Sequence, residues 1–210
     1  MPRRNVPAAL TATVGLAIVI VAALGFRATG GPPTLVDSWW HDLLASSPSP
    51  VIEAIARGLN VAGGTLVMTL VTLVLVLVLL IARRWHAAII VGLTVPLASG
   101  AHSLLKLAVD RPRPPDALLD LTTTSFPSGH ATTAASITVA LVLALAVTRV
   151  WAWALAAAWT LAMAFSRTYL LVHWVTDVAA GALLGASIAV LVALATRAFV
   201  PSPSARSSLV

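Results

Sequence analysis

Residues 61–106 read VAGGTLVMTLVTLVLVLVLLIARRWHAAIIVGLTVPLASGAHSLLK, and their only charged side chains are Arg83, Arg84 and Lys106. Two apolar runs, 61–82 and 86–106, flank the Arg83-Arg84 pair. Each comes close to the roughly 20 residues a helix needs to cross the hydrocarbon layer of a bilayer. Neither shows the period-two alternation of a barrel strand. Two membrane helices joined by a dibasic turn are the reading, since a helix satisfies its own backbone in lipid.

Working outward, four more runs of the same kind occur at 8–26, 129–148, 150–166 and 174–196, with charges gathered at the junctions. The whole chain is 59% hydrophobic and 10% charged, with mean hydropathy +0.97. Soluble domains are about 45–50% apolar and about 25% charged. The expected fold is therefore all-α: a polytopic membrane bundle of six transmembrane helices, forming one domain over 1–200 with a disordered tail at 201–210. The first run is longer than the roughly 7–15 apolar residues of a signal peptide core, so it is expected to be a retained helix. Between 27 and 60, Gly/Pro and Ser/Pro clusters bracket Ser38-Trp39-Trp40-His41. That pattern suggests short interfacial helices, or else a plain aromatic anchor.

The net charge of +6 and pI near 11.5 do not indicate nucleic acid, because the basic residues are scattered at the ends of apolar runs. Anionic lipid headgroups are the natural counter-charge. No cysteine is present, so disulfides and thiolate metal sites are excluded. Six spans put Arg3, Arg4, Arg83, Arg84, Arg149, Arg197 and Arg206 on one side, with no carboxylate side chain. The other side holds Arg27, Arg57, Lys106, Arg111, Arg113 and Arg167 with all seven acids: Asp37, Asp42, Glu53, Asp110, Asp116, Asp120 and Asp177. Once three of those six cations are assigned to chemistry, the positive-inside rule places the termini in the cytoplasm and the acidic side outside.

Alternating topology also brings Lys106, His130, Arg167, His173 and Asp177 to one membrane face, with Arg113 in the adjoining loop. Charges near hydrocarbon cost about 2.5–3.5 kcal/mol each even on a lenient scale, so such a cluster needs mutual pairing or an anion. Three cations against one carboxylate suit a phosphoryl group. Pro127-Ser128-Gly129-His130 sits at a helix start, where Ser128 is a natural N-cap and the following amides face an anion. His173 and Asp177 are i and i+4, so the carboxylate can fix one imidazole tautomer and leave the other nitrogen to attack phosphorus. His130, from another helix, can protonate the departing oxygen and then activate water. No step requires a metal or other cofactor.

Lys106 to Arg113-Pro114 fits K-x6-R-P, Pro127 to His130 is P-S-G-H, and Ser166-Arg167 through His173 and Asp177 fits S-R-x5-H-x3-D. Together these resemble the three-part signature of the type-2 phosphatidic acid phosphatase superfamily, which also includes vanadium haloperoxidases and bacterial acid phosphatases. The resemblance runs from about residue 60 to 196, with no departure at a motif position. It implies His173 as the nucleophile of a phosphohistidine, Asp177 as its orienting group, and His130 as general acid then base. Lys106, Arg113, Ser128, Gly129 and Arg167 would hold the phosphoryl oxygens.

Blander readings are kept elsewhere. His41 and His86 are expected to be packed or solvated residues; His102, one turn before Lys106, is expected to pack rather than to line the pocket, and Arg111 to be a headgroup or surface contact. Gly181 and Gly185 are expected to pack inside the bundle, and the tryptophans to be mostly interfacial anchors. The expected activity is hydrolysis of a lipid phosphate or diphosphate at the plasma membrane, with undecaprenyl or another polyprenyl diphosphate favoured over phosphatidylglycerophosphate and phosphatidic acid. The expected partners are that lipid and the bilayer, with no obligate protein partner. A lipid phosphotransferase with the same site, or a proton- or anion-coupled transporter, are the alternatives.

Overall fold

The computed structural model describes residues 5–198, with side chains through 196. The expected tail at 201–210 and the terminal arginines Arg3, Arg4 and Arg206 lie outside the described residues, as does the side chain of Arg197. Among the described residues eight helices follow in order: α1 (Val6–Thr29), α2 (Leu35–Ala45), α3 (Pro50–Ala62), α4 (Thr65–Ile81), α5 (Trp85–Val109), α6 (Gly129–Ala144), α7 (Val150–Tyr169) and α8 (Val175–Ala198). Each of the six apolar runs falls on one of α1 and α4 to α8, and α2 and α3 are the short helices expected between the first two. Among the described residues, α1, α5 and α8 are long and apolar enough to cross a membrane. The pair α3 and α4, bent by 55° at its break, makes a fourth if read as one broken span.

Polarity is distributed as lipid demands. Leu10, Ile18 and Val21 on α1, Leu66, Leu73 and Leu77 on α4, and Leu97, Leu104 and Leu107 on α5 all face outward. Thr94, Thr132, Ser136 and Ser187 are buried. Large apolar side chains outside and hydroxyls inside invert the arrangement of a water-soluble protein. The chain is a membrane protein.

Small residues let its centre close up. α6 buries Ala131, Thr132, Ala134, Ala135, Ser136 and Ala140, and packs most extensively on α8. Small side chains allow helix backbones to approach closely where no hydrophobic force acts between them. Gly181 and Gly185 are the points of approach: a Cβ would sit 2.4 Å from the Ser128 carbonyl oxygen at Gly181 and 2.2 Å from that of Thr132 at Gly185. Both glycines therefore pack inside the bundle, as expected. α1 is integral to the fold, since Val19 and Ala23 share a cluster with Val109, Phe126 and Leu184.

Candidate active site

Capping begins the site. At the α7–α8 turn Leu171 takes a positive φ of 54°, reversing the chain so that Val172 and His173 lead into α8. Asp177 then reaches back from the first turn to accept from the Trp174 backbone N–H at 2.9 Å. A carboxylate three residues past the cap satisfies an otherwise unpaired donor and is favoured by the helix dipole. Its Oδ2 also lies 3.5 Å from His173 Nδ1, adjacent to it without a hydrogen bond formed. This leaves His173 Nε2 on the other side of the ring, 3.3 Å from Arg113 Nη1.

His173 and Arg113 both line a cavity of about 420 Å³. Lys106, Arg113, Gly129, His130, Arg167 and His173 line it together. They come from the end of α5, the loop after it, the start of α6, the end of α7 and the α7–α8 turn, all at one end of the bundle. The two remaining expected residues lie just behind. Ser128 is buried, its amide donates to the Asp177 carbonyl at 3.0 Å, and it occupies the N-cap position of α6. Its hydroxyl makes no capping bond and, like Arg167 Nε, is buried without a protein partner. These unpartnered donors suit phosphoryl oxygens.

The loop from 110 to 128 is tied down by the cations it carries. Arg113 donates from Nε to the Thr123 carbonyl at 2.6 Å, from Nη2 to the Thr124 carbonyl at 3.1 Å, and from Nη1 to the Val172 carbonyl. Lys106 Nζ donates to the Thr124 carbonyl, while Thr124 Oγ1 donates to the Lys106 carbonyl at 3.2 Å. Burial pushes the His173 imidazole well below the ordinary histidine pKa, and Arg113, Arg167, Lys106 and His130 push the same way. The ring is held neutral, the form in which Nε2 carries a lone pair.

With this geometry in place, comparison with known proteins is informative. Residues 87–200 match the model of the PAP2 superfamily. The chain belongs to the PAP2 superfamily. Within it, this chain is a membrane phosphatase. The matched segment begins later than the residue-60 start of the resemblance. The fold is similar to the crystal structure described as the first transmembrane PAP2-type phosphatidylglycerolphosphate phosphatase from Bacillus subtilis. Identity is 22%, the similarity covers 88% of this chain and 96% of that one, and the TM-score is 0.76. It is also similar to Aquifex aeolicus LpxE, at 22% identity over 76% of this chain and 93% of that one, with TM-score 0.62. No curated protein matches the chain.

Several residues of this PAP2 site were not expected from sequence. Asn60, outside the matched segment, joins two of the cavity side chains: its Oδ1 accepts from Arg167 Nη1, and its backbone carbonyl accepts from His130 Nε2 at 3.0 Å. A carbonyl only accepts, so Nε2 carries the proton and Nδ1 is the ring nitrogen left for chemistry. His102, expected to be a packing residue, lines the cavity instead, because it lies one turn before Lys106 on α5. A Cβ at Gly129 would come within 2.8 Å of its Nε2.

The largest correction concerns Arg111. Expected at the surface, it is fully buried and pairs with Asp177 at 2.5 Å and with Asp37 at 2.8 Å. Two buried carboxylates hold it there, and its guanidinium carbon lies 3.8 Å from the Phe26 ring centroid. Asp37 is itself fully buried. Burial pushes its carboxyl up, but hydrogen bonds from the Thr176 and Thr34 amides and from Arg111 outweigh this, leaving it below the usual carboxylate range. Trp174 is likewise buried and is no interfacial anchor, donating from Nε1 to the Pro112 carbonyl at 3.0 Å. No sequence motif marks Asp37 or Asn60; each is found only through its partner.

Proposed function

We propose that this PAP2 phosphatase hydrolyses the phosphomonoester or diphosphate of a membrane lipid through a phosphohistidine at His173. One observation carries the reading: His173 lines one cavity with Lys106, Arg113 and Arg167, its Nε2 lies 3.3 Å from Arg113 Nη1, and Asp177 stands 3.5 Å from Nδ1. In the first step the Nε2 lone pair attacks phosphorus and the bond from phosphorus to the lipid oxygen breaks. His130, in its imidazolium form, gives that oxygen the proton on Nδ1, while Nε2–H stays on the Asn60 carbonyl. In the second step His130 takes a proton from water, the water oxygen bonds to phosphorus, and the P–N bond breaks to restore the imidazole. Lys106, Arg113, Arg167, Ser128 and the Gly129 amide stabilise the charge on the equatorial oxygens. The amides at the start of α6 point their donors and positive dipole end the same way.

The favoured substrate is an isoprenoid carrier diphosphate such as undecaprenyl diphosphate, followed by phosphatidylglycerophosphate and phosphatidic acid. The preference rests on an extracytoplasmic site, with six spans and both termini in the cytoplasm. Charge placement supports that topology, as Arg83, Arg84 and Arg149 lie at the end of the bundle opposite the cavity.

A panel of lipid phosphates in detergent with excess chelator tests the chemistry. Phosphate release by the wild type and none by His173→Ala is the expected result, and equal release by the variant overturns the nucleophile. Release only on addition of an acceptor lipid identifies a phosphotransferase instead. For orientation, the chain has no native cysteine, and Asp120 is exposed in the loop between α5 and α6. Asp120→Cys should react with an impermeant thiol reagent in intact cells; protection there reverses the topology.

A further inference from the structure

A guanidinium has five N–H donors in a fixed fork. At Arg111 all five are used. Nε donates to the Gly31 carbonyl at 3.2 Å, Nη1 to Thr176 Oγ1 at 2.8 Å and Asp177 Oδ1 at 2.5 Å. Nη2 donates to the Pro32 carbonyl at 3.2 Å and Asp37 Oδ2 at 2.8 Å. Asp37 in turn accepts from the Thr176 amide and hydroxyl, each at 2.9 Å, and from the Thr34 amide at 3.0 Å in the capping box that starts α2. Both oxygens of Asp177 are therefore committed: Oδ1 to Arg111, and Oδ2 to the Trp174 amide and the His173 side.

We propose that Arg111 is a positioning residue for His173, acting through Asp177, and that Asp37 sets the charge of the relay. The inference rests on the reading of His173 as the nucleophile. An unclamped carboxylate could rotate and present either oxygen to the imidazole, or neither. The fork removes that freedom by holding Oδ1 along a fixed direction. Two carboxylates around one guanidinium leave a net charge of −1, and Asp177 Oδ2 brings it within 3.5 Å of His173 Nδ1. That residual charge favours the Nδ1–H tautomer that leaves Nε2 free.

The arrangement also gives the segment between α1 and α2 a part in the chemistry. The Gly31 and Pro32 carbonyls close the back of the fork, and α2 exists in its position because its capping carboxylate is shared with Arg111. The paired tryptophans of α2 are then incidental to why the helix is there.

The test compares Arg111→Lys, Asp37→Asn and His173→Ala in purified protein, scoring kcat, KM and the pH profile of kcat/KM per folded molecule. Lysine keeps the charge but lacks the fork. Arg111→Lys is expected to lower kcat by about 10–100-fold, the usual loss for an outer-shell orienting group, with KM changed less than about threefold. Asp37→Asn keeps an acceptor and removes one negative charge, which disfavours imidazolium at 173, so the acid limb moves to lower pH. The groups facing His173 are Lys106 on α5, Arg113 in the loop, His130 on α6, Arg167 on α7 and Asp177 on α8; neither variant alters them. A purely structural role for Arg111 would reduce the yield of folded protein while kcat per folded molecule and the acid limb stayed at wild-type values, and that result overturns the proposal. If Arg111→Lys does not fold, an unmoved acid limb in Asp37→Asn overturns it alone. Activity surviving in His173→Ala instead overturns the nucleophile assignment, a distinct failure.

Discussion

His130 Nε2 lies 3.0 Å from the backbone carbonyl oxygen of Asn60, at the end of α3 and 70 residues earlier in the chain. The contact decides which imidazole nitrogen is available, and it depends on the break between α3 and α4. At Gly63 in that break, a Cβ would lie 2.6 Å from Met163 Sδ and 2.8 Å from His130 Cδ2.

Gly63→Ala should therefore displace His130 without removing any polar group. A misplacement of about 1 Å at a reacting group costs about 100-fold, so kcat should fall by that order. Asn60→Ala keeps the carbonyl and removes only the acceptor of Arg167. Loss of a hydrogen bond to a charged group costs about 1.5–3 kcal/mol, or roughly 10–100-fold in kcat/KM. Steady-state kinetics separate the two, and wild-type values for both would show that the α3–α4 break does not position the site.

The α6–α8 seam predicts a different signature. In Gly181→Ala the new methyl meets the Ser128 carbonyl, which is backbone and cannot swing aside. Overpacking typically costs about 1–3 kcal/mol. Thermal unfolding in detergent should show that loss, and activity should fall as well, because Ser128 and His130 begin α6. An unchanged melting temperature would mean that the helices part without cost.

The pH profile follows from burial and the surrounding cations. His173 must be neutral to attack, and its pKa lies well below the ordinary histidine value. Lowering that pKa extends the neutral form into acid. The acid limb of kcat/KM should accordingly lie below about pH 6.5, the unperturbed value. Removing one facing cation with Arg113→Gln should bring the limb back up. A limb at or above pH 6.5 in the wild type would contradict the field of Lys106, Arg113 and Arg167 at this ring.

Stability should show the opposite pH sign at His41. Burial lowers its pKa, but its hydrogen bonds to Asp116 at 2.8 Å and Asp42 at 3.3 Å outweigh this and raise it. A raised folded-state pKa stabilises fully below the unfolded value of about 6.5 and is lost as pH rises through the folded value. The partners are partly exposed, so about 1 kcal/mol or less is at stake. His41→Gln should lower the melting temperature at pH 5.5 and have little effect at pH 9. An equal loss at both would assign His41 to packing on Trp174, whose ring centroid is 5.5 Å away.

Much of the site was legible because its residues sit at helix ends of opposite polarity to the runs around them. Lys106, His130, Arg167, His173 and Asp177 each interrupt or close an apolar stretch, and the packing of the helices brings them to one end of the bundle. Arg111 illustrates the limit. As a charge in a loop beside Arg113 it reads as surface, since nothing local distinguishes a solvated arginine from one whose partners lie 66 and 74 residues away. Asp37 closes the capping box of α2, but its partnership with Arg111 is invisible to local pattern. The span lengths were also read long at α6, which ends at Ala144 rather than continuing to 148, because Leu145 to Val147 turn with Ala146 at a φ of 51°.

By itself the sequence determined that the chain is a helical membrane protein and singled out residues that gather at one cavity. Hydrophobic run length, period and motif spacing are local quantities, and they act before any tertiary contact forms. Only the tertiary structure decided which side chains stand behind those residues: Asn60 behind His130 and Arg167, and Arg111 with Asp37 behind Asp177. A buried polar group must find its partner wherever the fold supplies one, and that choice is made by packing across distant segments.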